Sequence, residues 1–167
     1  MSEALQDPMD RPLEIPYTDW KPEYLYTLGE VSRFFREIVD NKKLYASKCP
    51  KCAAVWMPPR GYCPDCYEKT QWVPVSGDGT VMSCTYCYFI GMGGDLPRFL
   101  DLPYVYALIK LDGCDSYLPH GVRPQGQAMG EIEVGTRVRA VFRDERKGSI
   151  ADFFFEKIAD QENKAGK

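Results

Sequence analysis

The stretch KCPKCAAVWMPPRGYCPDCYEK, residues 48 to 69, holds four of the seven cysteines of this 167-residue chain, as two Cys-x-x-Cys pairs ten residues apart. In a Cys-x-x-Cys turn both sulfurs can face the same side. Two such turns brought together offer four thiolates at the corners of a tetrahedron, the geometry that zinc accepts. The intervening text supplies a hairpin: AAVWMPP is an apolar run stopped by Pro58-Pro59, and RGYC leads back into the second pair. Pro50 and Pro64 follow the first cysteine of each pair and fix φ near −65° at the turn. The reading is a structural metal knot ligated by Cys49, Cys52, Cys63 and Cys66, with zinc as the expected metal and iron, as in rubredoxin, also compatible with the spacing. A catalytic dithiol fits less well, because a redox Cys-x-x-Cys normally opens a helix in a βαβ unit, and no such pattern surrounds these pairs.

Outward from the knot, the chain divides by its hydrophobic period. Residues 1–26 carry four prolines and the scattered aromatics Tyr17, Trp20, Tyr24 and Tyr26, the pattern of an extended arm lying on apolar surface. From Thr27 the period becomes helical. Thr27 and Glu30 match a T-x-x-E capping box, and Leu28, Val31, Phe34, Phe35, Ile38 and Val39 recur at three- and four-residue spacing, predicting one amphipathic helix ending near Asn41. This Phe-rich helix and the aromatic arm exceed what a small ribbon and barrel are expected to cover, so they are candidate interface. The organisation expected is an arm at 1–26, a helix at 27–44, a four-cysteine ribbon at 45–71, a β-barrel at 72–159 and a frayed polar tail at 160–167.

The barrel segment is read from GDGTVMSCTYCYFI, PYVYALIKLDG, TRVRAVFRD and SIADFFFEKI, which are rich in β-branched and aromatic residues and bounded by turn residues. Four or five such strands with no long helix between them predict a small antiparallel barrel. A third Cys-x-x-Cys, Cys84 to Cys87, lies within a strand, where an offset of three puts the two sulfurs on opposite faces. These cysteines are expected to pack rather than share a metal. Cys114 sits in the turn DGCDS, open to an exposed thiol but without the neighbours of a nucleophile. The single histidine, His120, lies in YLPHGVRP, punctuated by Pro and Gly like a loop. The Gly-rich GMGGDLPRF at 91–99 lacks the strand and helix of a phosphate-binding loop. Arg137, Arg139 and Arg143 share one face at period two, either as a solvated face or as a contact for an anionic partner. No catalytic constellation stands out.

Composition narrows the class. Hydrophobic residues at 44% and charged residues at 27% suit a globular chain, and no apolar run approaches the roughly 20 residues that span a bilayer. The acidic, Pro-punctuated N-terminus lacks the order of an export signal, so the expected compartment is the reducing cytosol, where paired cysteines serve as metal or redox ligands. A formal net charge of −3 gives no general attraction to phosphate polymers, which argues against nucleic acid as a partner.

A capped helix, a four-cysteine ribbon and a small barrel, in that order, resemble the acyl-CoA-associated proteins built from a rubredoxin-like zinc ribbon followed by an OB-fold. The matching text is CPKC and PPRGYCPDC, then GDGTVMSCTY opening the barrel, PYVYALIKLDG as a central strand, and GTRVRAVFRD with ADFFFEKI closing it. The chain departs from the family in carrying Ala53 and Tyr67 where members often have glycine after each pair, and in its Pro-rich arm. The resemblance implies a mainly β fold with an N-terminal helix, a structural zinc and a five-stranded OB barrel. It also implies a non-catalytic role beside a thiolase-fold enzyme, or an acyl-CoA dehydratase, in a hetero-oligomer whose substrate is a coenzyme A thioester. A nucleic-acid-binding ribbon and OB module is the competing reading of the same architecture.

Overall fold

The computed structural model describes residues 28–89, 100–124 and 130–159. The arm, the glycine-rich 91–99 stretch and the tail lie outside the described residues. The helix is shorter than its periodicity suggests. A 3-10 turn at Gly29–Val31 leads into α1, Ser32–Asn41, and Lys42 closes it in the left-handed conformation. Thr27 lies outside the described residues, and Leu28 at the start of the turn provides no side-chain cap. Glu30, read as the capping-box partner, instead accepts an ion pair from Lys69 Nζ at 2.9 Å, tying the turn to the second cysteine pair.

The apolar face of α1 is spent within the chain. Phe34 and Ile38 are buried, and Val31 and Phe35 pack against the same core. This corrects the expectation of a helix left over for a partner. That expectation summed apolar residues without knowing that helix, ribbon and barrel share one core, which takes in Leu44, Ala46 and Met57 from the ribbon with Val105, Ile109, Leu118, Phe153 and Phe155 from the barrel. From the far side Arg146 donates through Nε and Nη2 to the Val39 carbonyl at 3.0 and 2.9 Å, supplying a cation and donors where a helix end has unpaired carbonyls.

The ribbon is a three-stranded antiparallel sheet in the order β2-β1-β3, with β1 at Leu44–Lys48, β2 at Val55–Trp56 and β3 at Gln71–Val75. Trp72–Val75 pair with β1, from Ser47 opposite Trp72 to Leu44 opposite Val75. The closed barrel runs β4-β5-β6-β8-β7, with β4 at Asp78–Cys87, β5 at Tyr104–Leu111, β6 at Leu118–Arg123, β7 at Arg137–Phe142 and β8 at Phe153–Lys157. All its pairs are antiparallel except β6 with β8. Strand β5 alternates strictly, Val105, Ala107, Ile109 and Leu111 inward and Tyr106, Leu108 and Lys110 outward, as a half-buried strand must. Where β4 is shared between β5 and β7, Gly79 is required by space. A Cβ there would meet the Lys110 carbonyl oxygen at 2.7 Å. No helix among the described residues is long and apolar enough to cross a membrane.

Ribbon and barrel are clamped together by the β5–β6 turn. The Asp115 N–H donates to the Val55 carbonyl and its Oδ2 accepts from the Val55 N–H, both at 2.8 Å, while Ser116 Oγ accepts from the Met57 N–H at 2.6 Å. The turn thereby satisfies the outer edge of β2, which would otherwise be an open strand edge.

Candidate metal centre

Each cysteine pair is one knuckle, and the two are built alike. In the first, the Ala53 N–H donates to the Cys49 carbonyl at 3.0 Å and the Cys49 N–H to the Ala54 carbonyl at 2.9 Å. In the second, the Tyr67 N–H donates to the Cys63 carbonyl and the Cys63 N–H to the Glu68 carbonyl, both at 2.9 Å. The residue after each pair must turn left-handed to close the knuckle, and Ala53 and Tyr67 do so at φ 62° and 59°. The departure from glycine thus leaves the turn conformation intact and places its strain on two non-glycine residues. We expect Tyr67→Gly, at an exposed side chain, to stabilise the ribbon by about 0.5 kcal/mol and Tyr67→Val to destabilise it by about 1 kcal/mol or more. Thermal melts of the metal-loaded variants check the opposite signs.

The knuckles face each other because the backbone between them is held at both ends. The Arg60 N–H donates to Ser47 Oγ on β1 at 2.8 Å, and the Thr70 N–H donates to the Gly61 carbonyl at 2.9 Å. Tyr62 and Lys69 form an isolated antiparallel bridge that frames the second pair. The result brings the Sγ atoms of Cys49, Cys52, Cys63 and Cys66 within 4.8 Å of one another, with Cys52 and Cys63 at 3.7 Å. Tetrahedral zinc with Zn–S of about 2.3 Å requires sulfurs about 3.8 Å apart, which the Cys52–Cys63 separation matches and which the whole set approaches to within about 1 Å. Protonation agrees. The backbone N–H of Cys52 leads in lowering the Cys49 thiol to about 7, whereas hydrogen bonding to the Cys52 sulfur, with burial and the nearby Cys49, pushes Cys66 up to about 12. Four thiols this close cannot all ionise unless a cation sits among them.

The other residues singled out in the sequence are placed differently. Cys84 and Cys87 stand in register with Ala107 and Tyr104. Cys84 thus faces the core, 3.6 Å from the Ile132 carbonyl, and Cys87 falls on the opposite face, as the odd offset requires. Cys114 is not an exposed turn thiol. It is buried in the shared core, where desolvation raises its pKa to about 11 and removes it as a nucleophile. His120 is not in a loop either. It lies in β6, fully buried, with its ring 4.2 Å from that of Phe153. The Gly121 N–H donates to Nδ1 at 2.8 Å, so Nδ1 is the bare nitrogen and Nε2–H donates to the Ile150 carbonyl at 2.9 Å. Burial lowers its pKa to about 4.

Arg137 and Arg139 share the outer face of β7, and both carry carboxylates from their own chain. Arg137 forms a two-pronged pair with Asp112, at 2.8 and 2.6 Å, which lowers the carboxyl pKa and raises that of the guanidinium. Arg139 Nε lies 2.8 Å from Asp78 Oδ1. Arg143 follows the strand, donates to the Ala151 carbonyl at 2.8 Å and lies over the Phe154 ring. A cleft of about 500 Å³ beside it is lined by Asp144, Lys147, Ser149 and Asp152. The Asp152 carboxylate is already committed there: one oxygen accepts from the N–H groups of Lys147, Gly148 and Ser149 at 2.7–2.9 Å. The sequence reading did not single out Asp152. Its signal was the S-x-x-D spacing from Ser149, which forms the capping box that Thr27 and Glu30 do not.

Comparison with known proteins accords with this geometry. Residues 36–72 match the ChsH2 rubredoxin-like zinc ribbon domain, and residues 72–143 match the ChsH2 C-terminal OB-fold domain. A DUF35 domain-containing scaffold protein of Methanocaldococcus jannaschii is 31% identical over 127 residues, covering 72% of this chain and 82% of its own. Its counterpart in Methanothermobacter thermautotrophicus is 30% identical over 127 residues, covering 72% and 86%. Among solved structures, the Ltp2-ChsH2(DUF35) aldolase shares the fold at 21% identity and a TM-score of 0.57, covering 80% of this chain and 98% of that one. A DUF35 protein of unknown function from Sulfolobus solfataricus does so at 22% and 0.56, covering 78% and 87%. The chain therefore belongs to the DUF35 family, as a ChsH2-type zinc ribbon followed by an OB-fold.

Proposed function

We propose that this chain is the non-catalytic scaffold subunit of a thiolase-fold acyl-CoA enzyme, stabilising that partner and shaping its acyl-CoA site. The observation that carries the reading is where the reactive side chains sit. His120 has both ring nitrogens engaged by backbone, Cys114 is sealed in the core, and four of the remaining cysteines form the knot. Family membership supports it: relatives are described as scaffold proteins, and one solved relative is a component of an aldolase with Ltp2.

In this reading Cys49, Cys52, Cys63 and Cys66 hold one structural zinc, which supplies rigidity to a ribbon too small for a core of its own. The partner supplies the chemistry: its cysteine takes up an acyl group from a β-ketoacyl-CoA, and free CoA then releases it. Within the family the chain looks most like the small subunit of benzoylsuccinyl-CoA thiolase from anaerobic toluene breakdown, so an aromatic β-ketoacyl-CoA of that kind is the substrate proposed for the complex. Reducing cytoplasm is the compartment that suits free thiols and a CoA substrate.

Coexpression with a thiolase-fold chain from the same organism, followed by size-exclusion chromatography and a CoA-dependent cleavage assay, tests the proposal. The two chains should coelute, and the partner should lose at least about tenfold in activity or stability when purified alone. Separate elution with an equally active solitary partner overturns the scaffold reading. Thioester turnover by the isolated chain would make it an enzyme in its own right.

A further inference from the structure

The outer faces of the barrel are finished in two different ways. On β7 and β8 the chain covers its own outward residues: Phe154 is buried beneath the Arg123 guanidinium, 3.9 Å from the ring centre, with Arg143 at 5.5 Å. On β4–β5–β6 several outward positions are apolar and exposed. Leu108 stands opposite Ser83 on β4 and Pro119 on β6, and Tyr106 opposite Thr85 and Gly121, so small neighbours leave both side chains raised above the sheet. A bulge between Val81 and Ser83 adds Met82 to this face, the re-aiming that an extra strand residue produces. Leu102, just before β5, and Phe89, just past β4, are exposed at the end where Cys87 pairs with Tyr104.

These side chains are exposed by 41% at Leu108, 37% at Tyr106, 43% at Met82, 41% at Leu102 and 81% at Phe89. At roughly 200 Å² for each large side chain, they present about 500 Å² of apolar surface. That is near the upper end for a monomer and more than half of the ~800 Å² that each partner contributes to a standard interface. The charges fix what kind of surface fits. Lys110 stands exposed at one end of the stripe, whereas Arg123 at the other is paired with Glu156 of its own chain at 3.3 Å and lies over Phe154. A second copy of this chain packed face to face with its two-fold axis along the stripe would set Lys110 against Lys110. One exposed lysine on this face of a chain of net charge −3 is also too little to hold a phosphate backbone.

We infer that the outer face of β4–β5–β6 is the docking surface for the thiolase-fold chain, received by an apolar patch of that chain with a carboxylate placed to meet Lys110. This rests on the scaffold reading above and adds to it a face and a charge pattern. Leu108→Asp in the full chain, coexpressed with the thiolase-fold chain and then titrated against it as purified protein, should weaken binding at least about 30-fold. Lys110→Glu, at a solvated position that does not endanger folding, should weaken it about tenfold, more at low salt than at high. Leu28→Asp, at the exposed start of the 3-10 turn that Glu30 ties to the ribbon, should bind as the wild type does. Zinc content and melting temperature of each variant verify folding. If Leu108→Asp and Lys110→Glu both bind within about threefold of the wild type, the face is wrong while the scaffold reading stands. If the wild-type chain does not bind, the scaffold reading fails and this surface assignment with it. A wild-type homodimer that Leu108→Asp dissolves would assign the face to a second copy and overturn the inference.

Discussion

Replacing Cys52 with serine should cost the chain its zinc and melt the ribbon, lowering the melting temperature by at least ~10 °C. β1 and β2 meet over only two residue pairs, Ser47 with Trp56 and Lys48 with Val55, and the backbone contacts of Arg60 and Thr70 are the other ties near the knuckles, so bound metal would be the strongest link between them. Zinc binding to small units of this kind is linked to folding by roughly 10–16 kcal/mol, comparable with the whole stability of a domain at about 5–15 kcal/mol. Because Leu44, Ala46 and Met57 belong to the core shared with barrel and helix, the damage should spread beyond the ribbon. Metal analysis of the wild type should give about one zinc per chain and a colourless protein. The red of a rubredoxin-like iron site would replace zinc with iron. Cys84→Ser and Cys87→Ser should retain the metal, since their sulfurs lie outside the cluster. A Cys52→Ser protein with full zinc and an unchanged melting temperature would remove the knot from this account.

Acidification should weaken the fold through His120, well above the pH at which carboxylates protonate. The buried ring titrates at about 4 against an ordinary value of 6.5, with desolvation the main cause. Its folded-state pKa is lowered, so the unfolded chain takes up the proton first as pH falls. The stabilisation from keeping the ring neutral is complete above about pH 6.5 and is lost progressively down to about pH 4, reaching about 3 kcal/mol in all and about 2 kcal/mol by pH 5. His120→Gln keeps a donor for the Ile150 carbonyl but has nothing to titrate. It should be less stable than the wild type at pH 7.5 by about 1–3 kcal/mol, for the acceptor lost to the Gly121 N–H, and should show a shallower decline toward pH 5. Denaturant unfolding at each pH, with zinc retention followed in the same samples, separates this slope from acid release of the metal. Equal slopes in the two proteins would show that the histidine does not carry the acid sensitivity.

The metal knot and the alternation of β5 were legible because both are local. Two Cys-x-x-Cys turns need only their own backbone to point the sulfurs one way, and period-two alternation records which side of a strand meets the core. The helix was legible by the same logic, although its first turn was not: Glu30 had a choice between its own backbone and Lys69, and Lys69 lies almost forty residues on.

Tertiary structure decided the rest, because pairing and burial depend on residues far away in the chain. His120 reads as a loop residue between Pro119 and Gly121, yet the pairing of Ala107 with His120 draws it into a central strand and turns a candidate acid-base group into a core residue. Cys114, flanked by turn residues, is buried because the clamp of Asp115 and Ser116 on β2 pulls its turn against the ribbon. The segment Trp72–Val75 has strand composition that cannot say which strand it pairs with, and only the fold sets it in register with β1. The same dependence sets the outward faces. Alternation marks Leu108 and Arg139 as outward residues, but only the neighbouring strands give Arg139 the carboxylate of Asp78 and leave Leu108 exposed between Ser83 and Pro119.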